Sequence, residues 1–357
     1  MNEHRFPYKW TLKNAIFTKD KGKVFSCFAC GGGSTMGYKL AGFDVIGCNE
    51  IDSKMMDAYI TNHHPKYSYL EDIRKFKNRT DLPDELYNLD ILDGSPPCSS
   101  FSMAGNREKD WGKEKKFREG QAKQTLDDLF FDYINLAKKL QPKVVIAENV
   151  KGLLMGDAIQ YVREIYKQFE LAGYYCQHLL LDASKMGVPQ RRERVFFIAL
   201  RKDLAKPFLK QVNLFDILPE LKLEFNEPEI KFGELKTNDN DDIFTEYDLS
   251  VWNKRIDGDA DYCETLLRTE NRESNWNSKY IYDNKVCNTV ASSSGSKLIL
   301  FSEPRSLNKI ELNLIGSFPT DYDFLDIRTK YLIGMSVPPV MTANIATEIY
   351  NQWLKML

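Results

Sequence analysis

Short apolar runs alternate with stretches of helical apolar spacing through the first two hundred residues of this chain. The segment "KVFSCFACGGGSTMGYKLAGFDVIGCNEID" reads as a strand over 24–28, a glycine turn, a helix over about 34–40 and a second strand over 43–47. Ser34 is the expected helix N-cap and Gly42 the expected stop. A helix over 53–62 and a strand over 67–70 follow, and the strand "LDILD" runs into "GSPPCSSFS". The spacing in "QTLDDLFFDYINLAKKLQP" predicts a helix stopping at Pro142, and "KVVIAENV" a buried strand. A helix over 158–171 and two extended runs, "YYCQHLLLDA" and "RVFFIALR", complete this half. Strands alternating with helices predict an α/β fold, a Rossmann-like parallel sheet with helices on both faces. Ligands of such sheets bind beyond the carboxyl ends of the strands. The glycine loop, Glu50, Asp72, Cys98 and Glu148 would all emerge at that edge.

After Lys202 the rhythm is lost. Residues 203–300 carry polar tracts such as "TNDNDD" and "SSSGS" and irregularly spaced aromatics, as expected of a small irregular domain. Order returns in "SLNKIELNLIGSFP" and in "PPVMTANIATEIYNQWLKML", read as an amphipathic C-terminal helix packing on the first domain. The expected division is therefore 1–202, 203–300 and a return segment over 301–357.

Composition adds exclusions. The 357 residues have a formal net charge of -2, so any basic surface must be local. No run is long and apolar enough to span a membrane, and the N-terminus lacks an apolar signal core. Seven cysteines without disulfide rhythm suit a reducing compartment, and a cytoplasmic location is expected. Cys27 and Cys30 form a C-x-x-C without a second pair, and the four histidines make no ligand pattern, so no metal is expected.

The chemistry-bearing residues are ambiguous one at a time. "FACGGGS" with Glu50 nineteen residues after Gly31 suits a nucleotide site, without separating NAD from S-adenosylmethionine or from a simple tight turn. Asp72 could take an adenine amino group or be a surface acid. Glu148 follows an apolar strand, where burial favours the neutral form, or it caps a helix. Arg192 and Arg194 share a face by the period of two, fitting either a planar acceptor or a surface salt bridge. Cys98, after two prolines that stiffen the backbone, is a nucleophile or a half-buried thiol in a rigid loop.

In their order, "FACGGG", "NEID", "EDI", "PPCSSFS", "ENV", "QRRERVFFIA", "RSLNKIELNLIGSFPTDY" and "IGMSVPP" resemble the DNA cytosine-5 methyltransferase family over roughly residues 24–350. The resemblance implies transfer of a methyl group from S-adenosylmethionine to C5 of a flipped-out cytosine in double-stranded DNA. Cys98 would be the nucleophile and Glu148 the partner of the ring at N3 and its amino group. Arg192 would hold the O2 side, with Arg194 orienting its neighbours. The cofactor would fall to Phe28, stacking on adenine, to Glu50 on the ribose and to Asp72 on the adenine amino group. Gly31, Gly33, Asn49, Ile51, Ile73, Gly94, Pro97 and Ser336 would line the rest of that site. Residues 99–123, with seven Lys/Arg against four Asp/Glu, suit a lid over DNA, and 203–300 a target-recognition domain.

The resemblance further implies a bacterial or phage enzyme, monomeric, with a restriction endonuclease of the same specificity as a possible partner. The departures are Cys30 for the first loop glycine, Ser34 for an aromatic, Ser99 for glutamine, Leu314 for arginine and Met335 for asparagine. Two other readings stay open: a tRNA methyltransferase, although the Cys-Phe-Thr tripeptide of that branch is missing, and a catalytically idle DNA-binding relative.

Overall fold

The structure is a computed structural model that describes residues 4–97, 114–115, 124–125, 128–156, 158–211, 217–239, 244–274, 277–293 and 295–357. Cys98 and most of the expected lid therefore lie outside the described residues. Two compact units emerge, one of Met1–Ala15, Asp182–Arg192 and Phe225–Met341, the other of Ile16–Leu181, Glu193–Glu224 and Thr342–Leu357.

The second unit, the sheet unit, holds β1 (Lys23–Cys27), α1 (Gly33–Leu40), β2 (Asp44–Glu50), α2 (Ser53–His63), β3 (Tyr67–Leu70), α3 (Ile73–Phe76) and β4 (Ile91–Gly94). A two-residue antiparallel pair, β5 (Glu114–Lys115) with β6 (Gln124–Thr125), precedes α4 (Leu129–Leu140) and β7 (Val144–Val150). Then come α5 (Ala158–Leu171), β8 (Tyr174–Asp182), β9 (Glu193–Arg201) and the short hairpin β10 (Leu209–Gln211) with β11 (Ile217–Pro219).

The sheet order is β3-β2-β1-β4-β7-β9-β8. Its first five strands are parallel, as the alternation predicts, but β9 runs antiparallel to β7, register Glu148↔Phe196 and Val150↔Arg194. That reversal puts the start of β9 beside the carboxyl end of β7. Phe25, Leu92, Val145 and Phe197 are fully buried in the core that α4 and α5 cover on one side.

Two local expectations are corrected. α1 is capped by Gly32 in the left-handed region, with Ser34 inside the first turn. A side chain at position 32 would meet the His63 ring, its Cβ only 2.2 Å from Nε2, so backbone rather than a side chain must make this turn. The C-terminal helix is buried along all of 339–347 instead of on one face. Its polar positions there are small ones, and Thr347 returns its hydroxyl to the Ala343 carbonyl at 2.7 Å.

The other unit, the mixed unit, is built from α6 (Glu246–Trp252), α7 (Tyr262–Glu270), a parallel pair β12 (Asn277–Ile281) and β13 (Ser296–Leu300), α8 (Lys309–Ile315) and α9 (Thr329–Met335). α10 (Pro339–Gln352) begins in this unit and continues in the sheet unit. No helix among the described residues is long and apolar enough to cross a membrane.

Candidate active site

The carboxyl edge of the parallel strands is where polar groups gather in the sheet unit. β1 ends at Cys27, and Phe28 and Cys30 both turn into the left-handed region, at φ 51° and 50°. A glycine at the first loop position would adopt this without strain, so the Cys30 thiol replaces a hydrogen at a conformational cost. Its sulfur rests 3.6 Å from that of Met55 on α2. The loop is held from behind by His63, whose Nε2 is 3.2 Å from the Gly31 carbonyl. Burial pushes the His63 pKa down to about 3, so the ring is neutral and donates to that carbonyl. Gly33 opens α1.

At the end of β2, Glu50 is 8% exposed and takes three backbone N–H groups, Cys30 onto Oε2 at 2.8 Å, and Ile51 and Asp52 onto Oε1 at 2.8 and 2.9 Å. Burial raises its pKa, and these donors oppose the rise. Oε2 keeps a lone pair for another donor. Asn49, expected beside the cofactor, spends its amide on the Tyr69 and Glu71 carbonyls and is buried, so it holds β2 to the end of β3. Ile51 is 38% exposed, and Phe28 is half-buried with its ring edge-on to Tyr133. Asp72 caps α3 through the Arg74 N–H at 2.8 Å and pairs with the Arg74 guanidinium at 3.3 Å. Ile73 beside it is a core side chain.

These features suit S-adenosylmethionine, the cofactor that the resemblance implies. A ribose needs an acceptor such as the free lone pair of Glu50. A purine needs apolar faces such as Phe28 and Ile51. A sulfonium ligand has no phosphate to cradle, in keeping with a glycine loop that no lysine follows.

The shelf of prolines is tied into the sheet by a residue the motif reading passed over. Asn149 of "ENV" is buried and its Nδ2 donates to the Pro96 carbonyl at 3.1 Å. The only clue in sequence was its place beside Glu148. Gly94 ends β4 against the Tyr133 ring, where a Cβ would approach to 2.6 Å, and Pro97 is half-buried. On β7, Glu148 pairs with Arg194 of β9 at 2.9 Å, with side-chain exposures of 13% and 15%. Burial lowers the Arg194 pKa and the carboxylate opposes it, as in a sheltered ion pair.

Arg192 and Arg194 are held by different groups in the contacts described. Arg192, in the mixed unit, is buried and donates to the Val290, Gly334 and Ser336 carbonyls at 3.1, 2.9 and 3.0 Å. Ser336 supplies that carbonyl while its hydroxyl donates to Leu332, and neighbouring Met335 is 40% exposed. A second residue that sequence reading missed is Asp93, a carboxylate inside the apolar strand "DILDG" that accepts from Ser26 and Tyr38. Its signal was the one charge within the four strand residues "ILDG".

Known proteins add the family. The type II methyltransferase M.FnuDI of Fusobacterium nucleatum is 39% identical over 182 residues, 51% of this chain and 48% of that protein. M.NgoPII of Neisseria gonorrhoeae is 38% identical over 52% of this chain and 50% of its own length, so the chain spans about half of these relatives. M.DdeI of Desulfomicrobium norvegicum is 27% identical over 91% of this chain and 88% of its own. Among solved structures, a prophage-encoded candidate DNA modification methyltransferase of E. coli superposes with a TM-score of 0.62 at 20% identity, covering 92% of this chain and 99% of that one. S. pombe Dnmt2 gives 0.58 at 15%, covering 92% and 98%; both likenesses speak for the fold. The family described as C-5 cytosine-specific DNA methylase matches residues 22–351. This chain belongs to that family.

Proposed function

We propose that the chain methylates C5 of cytosine in a specific short sequence of double-stranded DNA, with Cys98 as nucleophile. The observation that carries this reading is the Glu148–Arg194 pair standing at the carboxyl end of β7, next to the Asn149 contact that anchors the shelf leading to Cys98. A base inside a duplex is out of reach, so the cytosine would be extruded into the site. C5 is a poor carbon nucleophile. Bond formation between the Cys98 thiolate and C6 turns the ring into an enamine, which divides one hard step into easier ones. Glu148 would stabilise the ring nitrogen and amino group as charge develops, and Arg194 would fix the carboxylate in place. Bound S-adenosylmethionine supplies an electrophilic methyl group. Loss of the C5 proton then expels the Cys98 thiolate and restores the aromatic ring. Arg192 and Ser336, assigned above to substrate and cofactor, would serve chiefly by holding the last turn of α9, which carries Gly334 and Met335.

Residues 203–300 would read the target sequence, and 99–123 would close over the DNA. The type II relatives make a cognate restriction endonuclease a natural partner, and a monomer working in the cytoplasm suffices for this chemistry. Sequencing of plasmid DNA from an expressing host after chemical conversion of unmodified cytosine tests the reading. One short motif should be protected throughout; random or absent protection, or methyl transfer to tRNA in its place, would refute it.

A further inference from the structure

Asp93 is the penultimate residue of β4, three positions before Pro96, on the strand between β1 and β7. It is 4% exposed, accepts from the Ser26 hydroxyl at 2.8 Å and from the Tyr38 hydroxyl at 3.0 Å, and is bonded also by Ser34. Two of these donors lie on α1, the helix that the glycine loop opens. The titratable groups that act on it from the packed elements are Cys27 of β1, Tyr38 of α1, Tyr59 of α2, Tyr133 of α4 and Glu148 of β7. Among these described residues none is a cation, and Glu148 already has Arg194. A buried carboxylate ordinarily stands beside a positive partner, because leaving a charge uncompensated in a dry interior is costly. Here the hydroxyls stand in for it, and burial lifts the Asp93 pKa to about 7.

A cation to face this carboxylate has a natural source, given the cofactor site read above, on which this inference rests. We propose that Asp93 is the counter-charge for the sulfonium of S-adenosylmethionine, and so a residue that selects the positively charged methyl donor over the uncharged product S-adenosylhomocysteine. The two molecules share adenine, ribose and amino-acid groups. Glu50, Phe28 and the glycine loop therefore hold both, and the difference lies at the sulfur, in its methyl group and its charge; a carboxylate answers to the charge. Discharging the sulfonium by methyl transfer removes the attraction and favours release of the product.

Calorimetric titration of the full chain with each ligand tests this directly. At pH 8.5, Asp93→Asn should weaken S-adenosylmethionine and leave S-adenosylhomocysteine nearly unchanged, lowering the preference for the donor by about threefold or more. Tyr38→Phe, which removes a donor but keeps the charge, should retain the preference at that pH. A tether between β4 and α1 would instead make both variants lose the two ligands equally, and that result would overturn the proposal.

The parent chain alone supplies a third reading if Asp93→Asn fails to fold. At pH 7 a nearby cation should drive off up to about half a proton from Asp93. Titrations in buffers of different ionisation enthalpy should then show more proton release with the donor than with the product, and equal release would contradict the idea. Glu50→Ala serves as control. If it weakens neither ligand, the cofactor site itself is misplaced and the Asp93 proposal falls with it; if it weakens both while Asp93→Asn leaves their ratio unchanged, the Asp93 proposal alone fails.

Discussion

The two units stabilise themselves by different means. In the sheet unit, strands of Val, Ile, Leu and Phe are buried in a continuous apolar core, and polar side chains collect at one edge. In the mixed unit, one apolar cluster gathers around Val251, Tyr262, Leu266, Tyr280 and Ile299, other apolar side chains such as Phe232, Ile315, Phe318 and Leu332 are buried elsewhere, and charged pairs stand among them. Asp259 accepts from Arg268 and Thr265, Lys297 reaches the buried Asp248 at 2.8 Å, and the Arg255 guanidinium lies 3.1 Å above the Trp252 ring centre. Arg305 and Glu311 form a two-point pair at 2.9 and 2.8 Å with side-chain exposures of 4% and 0%. Directional pairs of this kind restrict loop exchange to replacements that keep both partners. An apolar sheet instead fixes its edge residues closely, as a reaction centre requires.

The sharpest way to break this contrast is to unpair the mixed unit. Arg305→Met leaves the Glu311 carboxylate buried without its cation and should cost about 3–5 kcal/mol by denaturant unfolding. Replacing both residues with apolar ones should recover much of the loss. If the single change is silent, the pair is not what holds this unit.

In the sheet unit the lone charge gives the opposite sign. Asp93 has a folded pKa of about 7, above its unfolded value, so the folded chain binds the extra proton between roughly pH 4 and 7. Stability therefore declines as pH rises through that window and stays lower above it. Asp93→Asn escapes this. Relative to the parent it should gain roughly 2–4 kcal/mol between pH 4 and 8, the lower figure allowing for altered hydrogen bonds. A constant difference across pH would mean that Asp93 is not protonated in the fold.

Next in size is Glu50→Ala, which removes the acceptor proposed for the ribose and should weaken S-adenosylmethionine by about 1.5–3 kcal/mol in a calorimetric titration. If 203–300 reads the target, loop exchanges there should change the methylated sequence with cofactor affinity preserved. The smallest expected effect is at Cys30. Cys30→Gly relieves the left-handed strain but loses the Met55 contact and adds unfolded-state freedom, for a net gain below about 1 kcal/mol by thermal melting. A loss larger than that would show the sulfur contact to outweigh the strain.

The same contrast explains what could be read from sequence. The strand at 67–70 and the helix at 158–171 match β3 and α5 residue for residue, because burial imposes a period on each. The reversal of β9 left no mark, since a buried strand reads alike in either direction. In the mixed unit, β12 and β13 pair in parallel across "YDNKVCNTVASSSG", and α6 and α7 are short. Their order rests on partners far apart in the chain, such as Asp248 with Lys297, which no local period registers. At the site, Glu50, Asp72 and Glu148 were legible as acids at strand ends. The contributions of Asn149 and Asp93 were not, because each depends on a partner on another strand or helix, Pro96 in one case and Tyr38 in the other.

The thiolate of Cys98 is the group on which the proposed chemistry turns. DNA carrying 5-fluorocytosine at the methylated position, incubated with the chain and S-adenosylmethionine, supplies the direct test, since fluorine cannot leave as the proton does. The predicted result is a protein–DNA adduct that survives boiling in detergent and disappears in Cys98→Ser, a variant that should still fold and bind cofactor. An adduct of equal yield in Cys98→Ser, or methyl transfer at the parent's rate, would contradict the account and leave the thiol a structural one.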